Sequence, residues 1–220
     1  MPVSFLVNPY RFTFLPTSIS GCGLWLDASD SASVTHVSNA VSQINDKSGN
    51  GNHAVQATAA RKPTYGTDST SGLGKITFDG SGGSTGDLLS IPHHSSITFT
   101  SMSAFWVGDV TTAAAYGRLF TKDDTTSTTQ YSLNVGASGH TDFGYFTINN
   151  ASTKWTSAGT GTGRHLIMGM KNSTGIYGYK DSTTEYQFIS YAGGITSNTK
   201  VLTIGASDSG NYGFAGSMFE

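Results

Sequence analysis

Short runs of β-favouring residues, separated by clusters of turn-forming residues, dominate this chain from about Gly23 onward. Valine, isoleucine, threonine and the aromatic residues favour strands, whereas glycine, asparagine, aspartate and serine favour the turns between them. Many short strands at this spacing predict an all-β sandwich. The runs predicted to be strands are LWLDA (24–28), VSQIND (41–46), GKITFDG (74–80), DLLSIP (87–92), MSAFWVGDV (102–110), GRLFTKD (117–123), QYSLNVG (130–136), HLIMGM (165–170), GIYGYKD (175–181), EYQFIS (185–190) and KVLTIGA (200–206).

Several of these runs alternate strictly between apolar and polar residues. In GKITFDG the apolar residues Ile76 and Phe78 alternate with polar ones, and in QYSLNVG the polar residues Ser132 and Asn134 alternate with apolar ones. Successive strand residues point to opposite faces, so the alternation predicts one buried face and one wet face. The run SAFWVGDV (103–110) is more continuously apolar, which predicts a central strand covered on both faces or nearly so.

Helix-forming sequence is scarce in this chain. Charged residues make up 12% of it, glycine contributes 28 residues, and the only glutamates are Glu185 and Glu220. No stretch repeats helix-favouring residues with a period of 3.6, so long helices are not expected. A length of 220 residues suits one large β domain.

The N-terminal segment, residues 1–20, differs from the rest of the chain. Three phenylalanines, one tyrosine and three prolines fall within its first sixteen positions, and prolines at this density preclude a regular helix. We expect an extended arm over residues 1–20, followed by a sandwich over residues 21–220. The aromatic residues of the arm that we expect to dock on a neighbouring protein are Phe5, Tyr10, Phe12 and Phe14. Alternatively, the arm folds back on the sandwich and closes an edge strand.

Charge and hydropathy exclude several function classes. The net charge is -2 and the basic residues are scattered singly, which argues against nucleic-acid binding. No apolar run approaches the roughly 20 residues needed for a membrane span, and the N-terminus lacks the basic region of a secretory signal. The single cysteine, Cys22, cannot form an intramolecular disulfide and is predicted to be an inert packed residue.

The segment DKSGNGNH superficially resembles the start of a calcium-binding loop. Asp46, Ser48 and Asn50 supply oxygen atoms at alternating positions, but Ala57 occupies the twelfth position, where an EF-hand has a bidentate glutamate. We therefore interpret the segment as a turn in which Asp46 and Asn50 bond to their own backbone. The alternative is a weaker calcium site that includes Asp46 and Asn50 and is built partly from distant loops. The six histidines show no zinc-ligand spacing, and no other cofactor is expected.

Five segments together resemble a known domain class: LWLDASDSASVT, INDKSGNGNHAVQ, RKPTYG, GKITFDG and DLLSIP. In this order and spacing they are similar to the concanavalin A-like, laminin-G-type jelly-roll domains of many phage virion and appendage proteins. The resemblance covers residues 23–220, and GFAGSMFE resembles the closing strand of that fold. It implies two stacked antiparallel sheets, one of them concave. The opening MPVSFLVNPYRF is similar to the openings of phage structural proteins.

The resemblance implies a non-catalytic phage virion structural protein, as a capsid decoration, a head fibre or a tail-appendage component. Such a protein attaches to a major capsid or tail protein on the virion surface, as a homo-oligomer, and presents its sandwich outward. The alternative function is a carbohydrate-binding module that recognises a glycan on the host surface.

Sugar-binding sites commonly stack a sugar ring on an exposed aromatic side chain beside hydrogen-bonding residues. Trp155 lies in a polar context, and Tyr177 and Tyr179 belong to a predicted strand, so these three are the candidate glycan-binding residues. Packing on the sheet is the alternative role for the tyrosines. Trp25 and Trp106 sit in apolar runs and are expected in the core.

Some enzymes with concanavalin A-like folds are glycan hydrolases, and a retaining mechanism needs two carboxylates about 5 Å apart. Glu185 is the only internal glutamate, and no carboxylate lies beside it in the sequence. Asp123 and Asp124 are adjacent and would point to opposite faces of a strand. We therefore expect no catalytic residues, although Asp27 and Asp30 flank a turn as a formal alternative.

Overall fold

A computed structural model describes residues 15–112, 117–124, 128–137, 140–149, 151–156, 162–181 and 187–220. Within these residues the regular elements are short 3-10 turns and strands, with no α-helix. The strands, numbered in chain order, are β1 (Val34–Val37), β2 (Ala40–Ile44), β3 (Ala54–Val55), β4 (Thr64–Thr67), β5 (Gly74–Asp79), β6 (Leu89–Ile91), β7 (Met102–Thr112), β8 (Gly117–Asp124), β9 (Thr128–Ala137), β10 (His140–Ile148), β11 (Ala151–Thr156), β12 (Gly163–Lys171), β13 (Gly175–Lys180), β14 (Gln187–Ser190), β15 (Leu202–Ile204) and β16 (Ala215–Met218).

Fifteen of these strands form one antiparallel, hydrogen-bonded path that folds into two layers, and β1 pairs with β2 beside that path. The first layer has the order β11-β10-β9-β8-β15-β6-β3, and the second has the order β4-β5-β16-β7-β12-β13-β14. Strand β2 pairs with β3 in one layer and with β4 in the other, and so joins the two. Strands distant in sequence are neighbours, as in β8-β15-β6 and β5-β16-β7. The result is the predicted two-layer jelly-roll sandwich.

The core lies between the two layers. Phe146 of β10 is fully buried and faces β12, where a Cβ atom on Gly169 would lie 2.3 Å from its ring. In the second layer, the Trp106 and Phe214 rings pack edge to face at 5.4 Å. Apolar side chains from both layers fill the space between the sheets, and they include Ile44, Ile76, Phe78, Leu89, Ile91, Leu119, Leu133, Ile167, Ile176 and Ile204. Burial of Ile76 and Phe78 and of Trp106 confirms their predicted core positions.

Ten of the predicted runs form strands, but LWLDA (24–28) is wrong. This segment makes one isolated bridge, Leu26 to Asp46. The chain turns instead, because the Asp27 carboxylate accepts hydrogen bonds from the backbone of Ser29 and Asp30. Trp25 is correspondingly half-buried instead of in the core, with Nε1 donating to Glu220 Oε1 at 2.7 Å.

The run 103–110 is central, as expected, because β7 lies between β16 and β12. The sequence predicted that both faces of this strand are covered or nearly so, which is wrong at Phe105, whose side chain is 57% exposed. The opposite error applies to β9, since Ser132 and Asn134 belong to the expected wet face but are fully buried. A hydrogen-bonded layer of polar side chains satisfies them there.

Of the N-terminal arm, the structure describes residues 15–20, which include a 3-10 turn at Pro16–Ser18. The four predicted docking residues, Phe5, Tyr10, Phe12 and Phe14, lie outside the described residues. The closing strand expected in GFAGSMFE is confirmed as β16. No helix in the described part of the chain has the length and apolarity required to cross a membrane.

Candidate binding site on strands β8 and β9

An arginine lies along the outer face of the first layer, on the side opposite the core. Arg118 Nη1 donates to Asn134 Oδ1 at 2.7 Å and to Ser132 Oγ at 3.3 Å. Its Nη2 lies 3.6 Å from Asp123 Oδ2, and Thr129 Oγ1 donates to the other oxygen of that carboxylate at 3.2 Å. These contacts orient the guanidinium in one plane, as its fork of donors allows.

The register of β8 and β9 explains why these residues share a face. Arg118 is opposite Asn134 and Thr121 is opposite Ser132, with a register shift between Arg118 and Phe120. Directly opposed residues in an antiparallel pair lie on the same face of the sheet. The extra residue at the shift lets Leu119 and Phe120 both face the core side, so that Thr121 returns to the same face as Arg118.

Tyr212, from the loop between β15 and β16, completes the group. The Arg118 backbone nitrogen donates to the Tyr212 carbonyl oxygen at 3.0 Å, and the guanidinium carbon lies 5.3 Å from the centroid of the Tyr212 ring. Tyr212 has a φ angle of +60°, in a region that side-chain-bearing residues seldom adopt. The phenol side chain remains 49% exposed.

Two buried polar atoms in this group have no hydrogen-bond partner among the described residues. They are Arg118 Nε and Thr121 Oγ1. Buried polar groups are almost always paired, and an unpaired one commonly marks a place where water or a ligand binds. We call Arg118, Thr121, Asp123, Asn134 and Tyr212 the polar site.

The polar site combines the groups that recognise a polyhydroxylated ligand. The Arg118 and Asp123 side chains are 12% and 13% exposed, so a small part of each reaches solvent. A guanidinium donates to hydroxyl oxygens, a carboxylate accepts from hydroxyl groups, and an exposed ring stacks on the apolar face of a sugar. Sequence reasoning missed this site, since Arg118 and Tyr212 are distant in sequence and neither lies in a recognisable motif.

A buried lysine on the same strand faces a different part of the structure. Lys122 is fully buried, and its Nζ donates to the backbone oxygens of Asn198 and Lys200. Nδ1 of His93 lies 3.0 Å from the same atom. Burial lowers the pKa of Lys122 to about 8. This ammonium group anchors the segment before β15 to the end of the first layer.

The structure places the predicted glycan-binding tyrosines on the other layer. Tyr177 and Tyr179 lie on β13, where they pair with Met170 and Met168 of β12. The Tyr177 and Phe188 rings are 4.9 Å apart. Trp155 lies on β11 opposite Gly144, and its side chain is outside the described part of the structure. The two tyrosines therefore lie away from the polar site.

The second layer thus has an outer face of its own, in which the apolar side chains are partly or substantially exposed. We call this surface the aromatic face; its members are Phe105, Leu166, Met168, Met170, Tyr177, Tyr179 and Phe188. The strand pairings set them side by side on β7, β12, β13 and β14. Tyr177 Oη is 2.6 Å from Thr174 Oγ1, which is the polar contact at its edge.

The predicted calcium residues form a hydrogen-bonded turn. The Asp46 carboxylate accepts from the backbone nitrogens of Trp25, Ser48 and Asn52 at 2.9–3.0 Å. Asn50 Nδ2 donates to the backbone oxygen of Cys22 at 2.9 Å. The Asp46–Ser48 contact is that of a turn, whereas Asn50 bonds to a residue 28 positions away instead of to the turn's own backbone. The calcium alternative remains a prediction. Within the described ranges no group of three or more histidine, cysteine or acidic residues is placed to hold a metal.

The carboxylates considered for catalysis have other partners in the structure. Lys47 Nζ lies 2.9 Å from both Asp27 and Asp30. A pair that the sequence did not suggest is Asp79 and Asp87, each of which accepts a hydrogen bond from the backbone nitrogen of the other. Burial and the nearby Asp79 charge raise the pKa of Asp87 to about 6.

Comparison with known proteins supports the fold. No protein-family model and no curated protein sequence matches this chain. Among solved structures, domain 4 of AbnA, a GH43 extracellular arabinanase from Geobacillus stearothermophilus in complex with arabinotriose, is similar over 79% of this chain and 84% of that one. Its TM-score is 0.52 at 11% identity.

Two further structures are similar across most of this chain. The binding domain of Paraclostridial Mosquitocidal Protein 1 has a TM-score of 0.52 at 12% identity, and a GH54 α-L-arabinofuranosidase has a TM-score of 0.54 at 14% identity. The matches include 85% and 82% of this chain, respectively. This chain spans about half the length of each of those structures, 48% of the first and 46% of the second. Identities this low show the fold alone. The chain is a jelly-roll sandwich.

Proposed function

We propose that this chain is a non-catalytic carbohydrate-binding module whose ligand binds at the polar site. The observation that carries the proposal is the Arg118 guanidinium, held in place by Asn134, Ser132 and Asp123 beside the exposed Tyr212 ring. Its two Nη1 hydrogens are taken by Asn134 and Ser132, so the donors held at fixed positions for the hydroxyl groups of a sugar are those of Nε and Nη2. Tyr212 supplies the apolar surface on which the sugar ring stacks.

The fold is compatible with this role. Domain 4 of AbnA, whose solved structure is a complex with arabinotriose, has a similar fold. Arabinotriose is therefore a rational first probe, beside a panel of pyranose oligosaccharides.

The non-catalytic part of the proposal is supported by the state of the carboxylates. Both oxygens of the Asp123 carboxylate are engaged, one by Arg118 and the other by Thr129, which favours a fixed hydrogen-bond acceptor in a binding site. Asp79 and Asp87 are hydrogen-bonded to each other's backbone. A reducing-sugar assay on each oligosaccharide that binds should release no product, and measurable release would contradict this part.

Binding should be measured by calorimetry on the wild-type chain and on two tyrosine variants. Tyr212→Ala removes the ring of the polar site, and Tyr177→Ala removes a ring of the aromatic face as a matched control. We expect at least a tenfold loss of affinity in Tyr212→Ala and unchanged affinity in Tyr177→Ala. The reverse pattern would move the sugar site to the aromatic face, and no binding by the wild-type chain to any oligosaccharide would overturn the proposal.

We further propose a phage virion as the setting in which this module works, with a major capsid or tail protein as its partner. The resemblance of five sequence segments to virion and appendage domains supports this setting. A virion-borne module that binds a host surface glycan would combine both functions considered from the sequence. Mass spectrometry should detect the chain in purified particles, and antibody labelling should locate it at their surface. We expect it to be present there as a homo-oligomer. Its absence from particles would contradict the virion setting.

A further inference from the structure

The turn between β2 and β3 contains the one Asn-Gly step of the chain, Asn50 followed by Gly51. Asparagine is a labile residue, because the backbone nitrogen of the next residue can attack its side-chain carbonyl carbon. Glycine hinders this attack least, since it has no side chain and adopts a wide range of backbone conformations. Asn50 is therefore the asparagine whose neighbour favours the attack most.

The attacking nitrogen and its surroundings are open. Asn50 and Gly51 are both exposed, and the Gly51 backbone nitrogen has no hydrogen-bond partner among the described residues. A Cβ added to Gly51 would have no neighbour within 4 Å, so the turn has room to change shape there. Gly49 and Gly51, with φ angles of +91° and +74°, flank Asn50 on both sides. The backbone around Asn50 can therefore reach the geometry that the attack requires.

The reaction needs only water besides the chain itself. The Gly51 nitrogen forms a bond to Asn50 Cγ and gives up its proton, while the bond from Cγ to Nδ2 breaks and ammonia leaves. The product of this step is a five-membered succinimide ring. Water then adds to one of the two ring carbonyl groups and opens the ring. Opening on one side gives aspartate, and opening on the other gives isoaspartate, in which the main chain continues through the side-chain carboxyl group.

The side-chain amide of Asn50 holds the segment that leads into the sandwich. Its Nδ2 donates to the backbone oxygens of Cys22 at 2.9 Å and of Gly23 at 3.3 Å. Within the described ranges it is the only donor to the Cys22 oxygen, whereas the Gly23 oxygen also accepts from Asn52 Nδ2 at 2.8 Å. An ionised carboxylate accepts hydrogen bonds and donates none. Conversion of Asn50 therefore releases Cys22 and leaves Gly23 held.

The product also carries a second negative charge in the same turn. Ser48 Oγ lies between the two side chains, because it donates to Asp46 Oδ2 at 2.8 Å and accepts from Asn50 Nδ2 at 2.9 Å. After conversion a carboxylate would face the Ser48 hydroxyl from each side, and its one proton can be donated to only one of them. Like charges at this separation repel each other. The new carboxylate is therefore driven away from Asp46 and from the Cys22 oxygen.

We propose that Asn50 is a site of spontaneous deamidation, and that its conversion detaches the segment before Gly23 from the turn between β2 and β3. The hydrogen bonds of Nδ2 hold the leaving group, so the reaction is slower in the folded chain than in the unfolded one. The release of ammonia makes the change irreversible, and the detached form accumulates with time. This inference does not depend on the sugar-binding function.

Peptide mapping by mass spectrometry of the folded wild-type protein, incubated at pH 8, tests the site. Asn39 is the control in the same molecule, because it is also exposed and lies in a hairpin turn, but precedes Ala40. We expect Asn50 to convert at least tenfold faster than Asn39 and to give both aspartate and isoaspartate. Equal rates at the two asparagines would overturn the site. So would an intact Asn50 in the folded protein over a period in which the urea-unfolded chain converts.

NMR relaxation of backbone amides tests the release of Cys22. In deamidated protein separated by anion exchange, and in Asn50→Asp, the order parameter of Cys22 should fall from about 0.85, typical of rigid backbone, to below about 0.6. The buried Ala28 is the reference and should not change. An unchanged Cys22 in folded, deamidated protein would overturn the release.

Asn50→Gln is the matched control for the incubation, because it keeps a side-chain amide but would have to close a larger ring. Its Cys22 order parameter should stay constant over the period in which the wild-type protein converts. A fall at Cys22 in incubated Asn50→Gln would assign the release to a different reaction and would also overturn the proposal.

Discussion

The guanidinium carbon of Arg118 lies 5.3 Å from the centroid of the Tyr212 ring, and the Arg118 backbone nitrogen donates to the Tyr212 carbonyl oxygen at 3.0 Å. Strand β8 therefore holds both the backbone and the ring of a loop residue whose φ angle is +60°. A loop positioned in this way can present its side chain to a ligand without first becoming ordered.

Replacing Arg118 should also affect stability, because three polar groups depend on it. In Arg118→Met, Asp123 loses its cationic partner, and Asn134 Oδ1 and Ser132 Oγ lose a donor. Unpaired buried polar groups cost about 1–3 kcal/mol, so we expect a loss of about 2–4 kcal/mol in the free energy of unfolding. Urea denaturation measures this loss. Arg118→Lys keeps the charge but not the fork of donors, so its free energy of unfolding should lie between those of Arg118→Met and the wild type. A loss below about 1 kcal/mol in Arg118→Met would contradict the role of Arg118 in holding these polar groups.

Asp87 should make stability decrease from mildly acidic to neutral pH. Burial and the Asp79 charge raise its pKa to about 6 in the folded state, against 3.8 for an ordinary aspartate. Between these two values the folded state binds more protons than the unfolded state, so stability falls as pH rises from about 4 to 6. In Asp87→Asn this contribution disappears.

Thermal unfolding of Asp87→Asn at pH 4, 5.5 and 7 tests this expectation. The melting temperature of Asp87→Asn, relative to that of the wild type, should increase as pH rises. Asp208→Asn, at an exposed position, is the matched control and should follow the wild type. A difference between Asp87→Asn and wild type that is constant with pH would refute the argument.

Asp68 should make stability increase as pH rises from acidic values, the opposite of the effect expected for Asp87. The Ser71 side chain and backbone donate to its carboxylate at 2.7 and 2.8 Å, and together with Arg164 they hold the pKa of Asp68 well below its usual range. This contribution to stability is present above the unfolded value of 3.8 and is lost as pH falls below it. Asp68→Asn should therefore be less stable than wild type at pH 7, with a difference that shrinks below about pH 4. A difference that widens on acidification would count against it.

The separation of the two layers should be sensitive to one methyl group. A Cβ on Gly169 would lie 2.3 Å from the Phe146 ring, so Gly169→Ala forces one layer away from the other. Overpacking of this kind costs about 1–3 kcal/mol. Gly66→Ala on β4, where a Cβ would have no neighbour within 4 Å, is the control and should be nearly neutral.

A double-mutant cycle identifies the cause of the Gly169→Ala effect. Phe146→Leu shortens the side chain that the new methyl group would meet, so it should recover part of the loss caused by Gly169→Ala. Strictly additive costs in the two variants would show that the Phe146 ring is not the obstacle.

The strands were largely predictable because their signal is local. Ten runs were identified from residue type and alternation, and the closing strand was identified by resemblance. Local reasoning failed at LWLDA, where the apolar residues suggest a strand but the Asp27 carboxylate caps a turn. It also missed β1, β3, β4 and β11, whose sequences are polar or short, and β10, although Phe143, Tyr145, Phe146 and Ile148 favour a strand there.

The candidate site was not predictable in the same way. Tyr177 and Tyr179 were selected as aromatic residues in a strand, and the structure places them among apolar neighbours. Arg118 and Tyr212 have no distinguishing local pattern, and the exposure of Tyr212 follows from a loop conformation.

By itself, the sequence determined that this chain is an all-β sandwich with few helical residues and alternating strands, because hydrophobic periodicity is set by residues close together in the chain. Only the tertiary structure decided which outer face became polar and which became aromatic. That choice depends on long-range pairing, such as β15 entering between β8 and β6, and on the register shift beside Arg118. A change of one residue in register reverses the face to which a side chain points, and alternation along a single strand carries no information about its partner.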